Sequence, residues 1–121
     1  MPLDRDVIFV SESGEEGTPE VAERPTTAGA KLDSEAFKAV EAAVMKIYNV
    51  ATLPTMGTGA TDMAQLRAKG TQCFGIGSAT DMEDVPKGFG AHSDQERLFE
   101  SELHRFVRFN WEIVYELAHA R

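Results

Sequence analysis

The sequence predicts a single α/β domain, with a small sheet of about three strands and about three helices in two or three layers. Residues 7–10 form a continuous apolar run, which is typical of a central strand covered on both faces. Strand-like and helix-like segments then alternate along 121 residues, a length that suits one domain. Apolar residues also recur at helical spacing at Phe37, Val40, Val44 and Ile47.

The elements up to the second strand follow from local signals. After the first strand, residues 17–31 contain two prolines and two glycines, so a loop is expected there. Asp33 or Ser34 can cap the first helix, and Asn49 is predicted to end it. A short strand is predicted over residues 51–56, at an edge of the sheet because it contains a proline.

The remaining elements are a short helix, a third strand and a long helix. Thr61 is predicted to cap the short helix, which runs through Ala68, with Gly70 in the left-handed conformation after it. Residues 71–76 are predicted to form the third strand. Ser93 and Glu96 have the spacing of a capping box and are predicted to open the final helix. The residues expected on its one wide apolar face are Phe99, Leu103, Phe106, Asn110, Ile113 and Leu117, with Val107, Val114 and Ala118 widening it.

Composition and charge bound the possible functions. The net charge of −8 argues against nucleic acid or an anionic membrane as a partner, because binding to phosphate requires basic surface. No apolar run approaches the roughly 20 residues that span a bilayer, and the first residues lack the pattern of a signal peptide. The single cysteine, Cys73, excludes an intramolecular disulfide and indicates a reducing, cytoplasmic location. It lies in an apolar run, where a buried small side chain is expected.

Two segments carry the strongest indication of chemistry. Glu15 and Glu16 follow the first strand in a glycine-flanked loop, and His92 precedes the final helix in a second glycine-rich loop. This arrangement resembles the co-catalytic zinc peptidase family, which includes glutamate carboxypeptidase, bacterial dipeptidases and aminoacylases. The resemblance implies that Glu15 is the general base and that Glu16 and His92 are zinc ligands. It extends to residues 53–64, similar to a glycine-rich family segment, and it implies that Gly57, Thr58 and Gly59 bind a peptide or an amino-acid-derived ligand.

The chain resembles a zinc-peptidase catalytic domain without its amino-terminal half and its lid domain, and residues 17–31 join the two matching blocks. The family's His-x-Asp segment and bridging aspartate would lie before Val7, where only six residues stand. A catalytic zinc site needs about three protein ligands and an open position. We therefore expect zinc affinity no better than micromolar and no hydrolase activity from this chain alone.

Plainer interpretations stand beside this one. An adjacent glutamate pair in a loop is most often solvated charge, and a lone histidine before a helix is more often a loop residue or a contact at the helix N-terminus than a ligand. Two functions remain open: a zinc metallopeptidase-like fragment that hydrolyses a peptide or amide bond when another chain supplies ligands, or a non-catalytic binding or assembly module. A homodimer centred on the final helix or the outer strand is also predicted. Three short strands and three helices bury too little to hide that helix's aromatic residues, Phe99, Phe106, Phe109 and Trp111.

Overall fold

The computed structural model describes residues 5–7, 29–55 and 61–119. Within these ranges the chain forms three α-helices and one short 3-10 helix. Helix α1 spans Glu35–Tyr48, α2 spans Met63–Ala68, and α3 spans Glu100–Ala118. The 3-10 helix spans Val85–Lys87. The described part of the chain is therefore helical.

The predicted α/β fold is wrong, because the described residues contain no strand and no sheet. Residues 51–55 and 71–76 lie outside regular structure, while residues 8–10 and Met56 lie outside the described ranges. A strand needs a neighbour for its ladder of hydrogen bonds, and Pro54 has no N–H to contribute. In the segment 71–76, the carbonyl of Cys73 instead accepts a hydrogen bond of 2.7 Å from the Arg67 guanidinium. The N–H of Thr71 also donates to the carbonyl of Leu66, so this segment bonds α2 and not a partner strand.

Helix α1 confirms its sequence prediction at both ends. The Ser34 hydroxyl accepts a hydrogen bond of 3.2 Å from the N–H of Phe37, as an N-cap residue should. Asn49 ends the helix in the left-handed conformation, with φ 55°, and its N–H donates to the carbonyl of Met45. Asparagine is one of the few residues besides glycine that adopt this conformation readily.

The core lies between α1 and α3. Ala39 and Ala43 of α1 are buried against Phe109 and Ile113 of α3, and the small alanines let the larger side chains approach closely. The ring of Tyr48, at the end of α1, meets that of Phe109 edge-on at 5.8 Å. The residues partly buried around this centre are Val40, Val44, Ile47, Tyr48, Phe106 and Leu117. Burial of these apolar faces against each other is what holds the two helices together.

The two helices run antiparallel. Tyr48, the last residue of α1, lies near Arg105 in the first half of α3. Glu35 and Lys38 at the start of α1 line a groove with Glu116 near the end of α3. A salt bridge of 2.6 Å between Lys46 and Glu112 links the pair on its surface. We define this antiparallel pair as the helical hairpin of the molecule.

Helix α2 agrees with its prediction in most respects. It begins at Met63, whose N–H contacts the Thr61 hydroxyl at 3.4 Å, although Asp62 rather than Thr61 occupies the N-cap position. Gly70 follows the helix with φ 88°, the left-handed conformation expected of it, and its N–H donates to the carbonyl of Arg67.

The predicted start of α3 is wrong. The helix begins at Glu100, with Phe99 in the N-cap position, and not at the capping box of Ser93 and Glu96. The N–H of Glu96 bonds the backbone carbonyl of Ser93 at 3.0 Å, and the Glu96 carboxylate accepts from the N–H of His92 at 3.1 Å. Ser93 and Glu96 therefore stabilise a turn in the loop before α3 and do not cap the helix.

Candidate functional site

Of the residues that the sequence predicts as a zinc-peptidase site, only His92 is described. Glu15, Glu16, Gly57, Thr58 and Gly59 lie outside the described ranges.

His92 is exposed and has φ 64°, a left-handed conformation that is uncommon for a residue other than glycine. Residues 5–7, 29–55 and 61–119 contain no group of three or more histidine, cysteine or acidic side chains that could hold a metal ion. The roles of Glu15 as base and of Glu16 and His92 as zinc ligands stay predictions.

The loop that carries His92 is fastened by an ion pair between Asp84 and Arg97. The guanidinium donates from Nε to Oδ2 at 3.1 Å and from Nη2 to Oδ1 at 2.6 Å, and it lies 3.9 Å from the centre of the Phe89 ring. The backbone carbonyl of Asp84 also accepts from the N–H groups of Lys87 and Phe89. Asp84 is only 8% exposed, so the loop folds around its carboxylate. Sequence reasoning missed this pair, because the two residues lie 13 positions apart in a loop.

This ion pair should make the stability of the loop depend on pH. The hydrogen bond from Arg97 lowers the pKa of Asp84. The ion pair therefore stabilises the fold at any pH above the pKa of Asp84 in the unfolded chain, about 3.9. This stabilisation is lost as the pH falls through the lower pKa that Asp84 has in the folded protein. We expect the melting temperature of the unaltered protein to fall more steeply below about pH 4 than that of Arg97→Met. Thermal denaturation from neutral to acidic pH measures both.

The matched control is Glu83→Gln, which removes the exposed carboxylate that pairs with Lys87 at 3.0 Å. Exposed pairs contribute little, so its melting curve should follow that of the unaltered protein at every pH. Parallel pH profiles for Arg97→Met and the unaltered protein would contradict a role for the pair.

A polar cluster lies where the end of α1 meets the start of α3. Arg105 bonds Glu102 at 2.7 Å, and its guanidinium lies 5.6 Å from the centre of the Tyr48 ring. Partial burial, and then the charge of Glu102, raises the pKa of Tyr48, whereas Arg105 opposes this effect. The ring of Tyr48 thus contacts Arg105 on one side and Phe109 of the core on another.

Cys73 behaves as the sequence predicts. It is 8% exposed, and its sulfur lies 3.7 Å from the carbonyl oxygen of Thr71. A small cavity of about 230 Å³ adjoins it, lined by residues that include Lys31 and Arg67. A buried thiol of this kind fills space in the interior.

The most distinctive surface among the described residues lies on α3, turned away from α1. We call it the outer stripe; it consists of Leu103, Val107, Trp111, Val114 and Tyr115. Leu103 is 49% exposed, Val107 60% and Trp111 58%, while Val114 and Tyr115 are more than a third exposed. Leu103, Val107, Trp111 and Tyr115 recur every four residues, so they follow one another along one side of the helix.

The outer stripe is continuous and large for its helix. The rings of Trp111 and Tyr115 lie 6.4 Å apart, and Tyr115 stacks on His119 at 4.7 Å. From the exposed fractions, the five side chains present roughly 500 Å² of mostly apolar surface. Contiguous patches larger than a few hundred Å² mark interaction surfaces on folded proteins. The sequence grouped Leu103 and Val107 with Ile113 on one wide apolar face, of which α1 covers only part.

Comparison with known proteins adds no assignment: no family model, no curated protein and no solved structure matches this chain. The resemblance to zinc peptidases therefore stays a prediction. Within the described ranges, no helix has both the length and the apolar character to cross a membrane.

Proposed function

We propose that this chain is a non-catalytic protein-interaction module whose binding surface is the outer stripe of α3. The observation that carries the proposal is that α3 has two apolar sides and the hairpin uses only one of them. Phe109 and Ile113 are buried against α1, whereas Val107 and Trp111 face away from it. Val107 and Phe109 differ by about 160° around the helix, so the packing that buries one leaves the other open.

The outer stripe suits a helical partner. Side chains that recur every four residues form a ridge, and such ridges pack into the grooves of another amphipathic helix. A membrane surface is less suitable, because α3 carries four glutamates against two arginines in a chain of net charge −8. The single buried cysteine supports a cytoplasmic location for this module.

The hydrolase alternative depends on Glu15, Glu16 and His92, of which His92 alone lies in the described part of the chain. Helix α3, by contrast, presents an exposed apolar side opposite the side that packs on α1. We therefore favour the interaction module.

The proposal requires that the outer stripe serve binding and not folding. We expect the double substitution Leu103→Gln and Val107→Gln to change the free energy of unfolding of the dilute protein by no more than about 0.5 kcal/mol, because both side chains are already half exposed. Urea denaturation, followed by circular dichroism at low protein concentration, measures this.

The matched control is Ile113→Gln, which places a similar polar side chain on the buried side of the same helix. This control should lose several kcal/mol or fail to fold, because an amide would be buried without partners. If the double variant is destabilised as much as the control, the outer stripe belongs to the core and the proposal fails.

A further inference from the structure

We infer that the partner of the outer stripe is a second copy of this chain, bound antiparallel with the Val107 side chains of the two copies meeting on a two-fold axis. This inference rests on the proposed function and names the partner of that same surface.

The outer stripe is complementary to itself in the antiparallel direction. With the axis at Val107, Leu103 lies level with the partner's Trp111, and Glu100 lies level with the partner's Val114. The smaller Leu103 then meets the larger Trp111 on both sides of the axis, so the helices stay evenly spaced along the contact. Val107, the most exposed residue of the stripe, is small enough to let the two helices approach at the axis.

A parallel pair would be less favourable for two reasons. Trp111 would meet the partner's Trp111 while Leu103 met the partner's Leu103, so one end of the contact would be forced wider than the other. Glu100, which lies on the same side of α3 as Val107, would also meet the same carboxylate of the partner, and the two helix dipoles would be aligned. The antiparallel pair avoids both penalties.

The size of the stripe fits a symmetric dimer. A stable interface buries about 800 Å² per partner. The outer stripe supplies more than half of this as mostly apolar surface, and the exposed side chains of His104 and Arg108 beside it supply polar rim. The intramolecular core, by comparison, centres on four buried residues, of which two are alanines. A two-fold contact would bring the stripes of both copies, ten side chains in all, into one interface.

Disulfide trapping tests both the partner and its direction. Glu100→Cys and Val114→Cys variants, one of them enlarged by a tag, are mixed and oxidised at concentrations from about 1 µM to about 1 mM. A disulfide needs Cα atoms within about 7 Å, whereas two copies of residue 100 in the antiparallel pair are about 21 Å apart along the helices. We expect the mixed disulfide to exceed either homodisulfide by at least about five-fold. The unaltered chain, with only the buried Cys73, is the control and should give no covalent dimer.

The other outcomes each overturn a defined part of the inference. A dominant disulfide between two copies of the Glu100→Cys variant would overturn the antiparallel direction and leave self-association intact. Absence of any covalent dimer, with a monomeric mass throughout the concentration range, would overturn the second copy as partner. Co-sedimentation of that monomer with phosphatidylcholine vesicles would show that the stripe binds lipid, and this result would also overturn the second copy as partner. The free energy of unfolding of the Leu103→Gln and Val107→Gln double variant tests the proposed function independently of the dimer.

Discussion

Replacing Phe109 with alanine is expected to lower the free energy of unfolding by about 3–5 kcal/mol. The ring is 4% exposed and lies at the centre of the core, edge-on to Tyr48 at 5.8 Å and stacked with Phe106 at 6.0 Å. Its removal loses the burial of a large apolar side chain and opens a cavity that Ala39 and Ala43 are too small to fill. Domains of this size are stable by only about 5–15 kcal/mol, so the variant should be close to unfolding.

Urea denaturation at one fixed protein concentration measures this loss, because the concentration influences the apparent stability of a protein that associates. The matched control is Phe99→Ala, the same chemical change at the N-cap of the same helix, where the ring is 54% exposed. The control should lose less than about 1 kcal/mol. Equal losses for the two variants would contradict the position of the core between α1 and α3.

The second large effect is expected from Val107→Glu. Val107 lies on the two-fold axis of the inferred dimer, so the substitution brings two carboxylates together and takes both out of water. Like charges in a desolvated contact cost several kcal/mol, and we expect the dissociation constant of the dimer to rise at least about 100-fold. Sedimentation velocity over a range of concentrations measures it.

Ser101→Glu is the matched control, since it adds the same charge to an exposed position of α3 outside the outer stripe. The dissociation constant of the Ser101→Glu dimer should differ from that of the unaltered protein by less than about three-fold, because the added charge stays in water. A dimer of Val107→Glu as tight as that of the unaltered protein would place the interface somewhere other than on the stripe.

Local signals in the sequence were sufficient for two of the helices. The predicted ends of α1 at Ser34 and Asn49 are confirmed, because a hydroxyl cap and a left-handed asparagine act through hydrogen bonds within a few residues. Gly70 after α2 was predicted on the same basis and has the expected positive φ. These features need no knowledge of the rest of the fold.

The strands failed because a strand is stable only beside another strand. Residues 51–55 and 71–76 have apolar and β-branched content, but neither segment has a strand beside it among the described residues. In the second segment, the carbonyl of Cys73 bonds Arg67 instead. The start of α3 failed for a similar reason. Ser93 and Glu96 have capping-box spacing, yet the ion pair between Asp84 and Arg97 fixes the preceding loop, and the helix begins only at Glu100.

The outer stripe was partly foreseeable. The apolar positions of the final helix cover more of its circumference than one neighbouring helix can bury, and this excess led to the prediction of association through that helix. What the sequence could not show was which part of the wide face turns inward. The side that turns inward depends on the contact between α1 and α3, where the small Ala39 and Ala43 leave room for Phe109 and Ile113. The spacing of apolar residues along one helix does not predict such a tertiary contact.

Sedimentation equilibrium of the unaltered protein tests most directly whether the outer stripe joins two copies of this chain. The mass expected is that of a dimer, about twice 13.3 kDa, at high micromolar concentration, with a shift toward the monomer on dilution. The same measurement on Val107→Glu should give the monomer at all these concentrations. A monomeric mass for the unaltered protein up to about 1 mM would contradict the dimer.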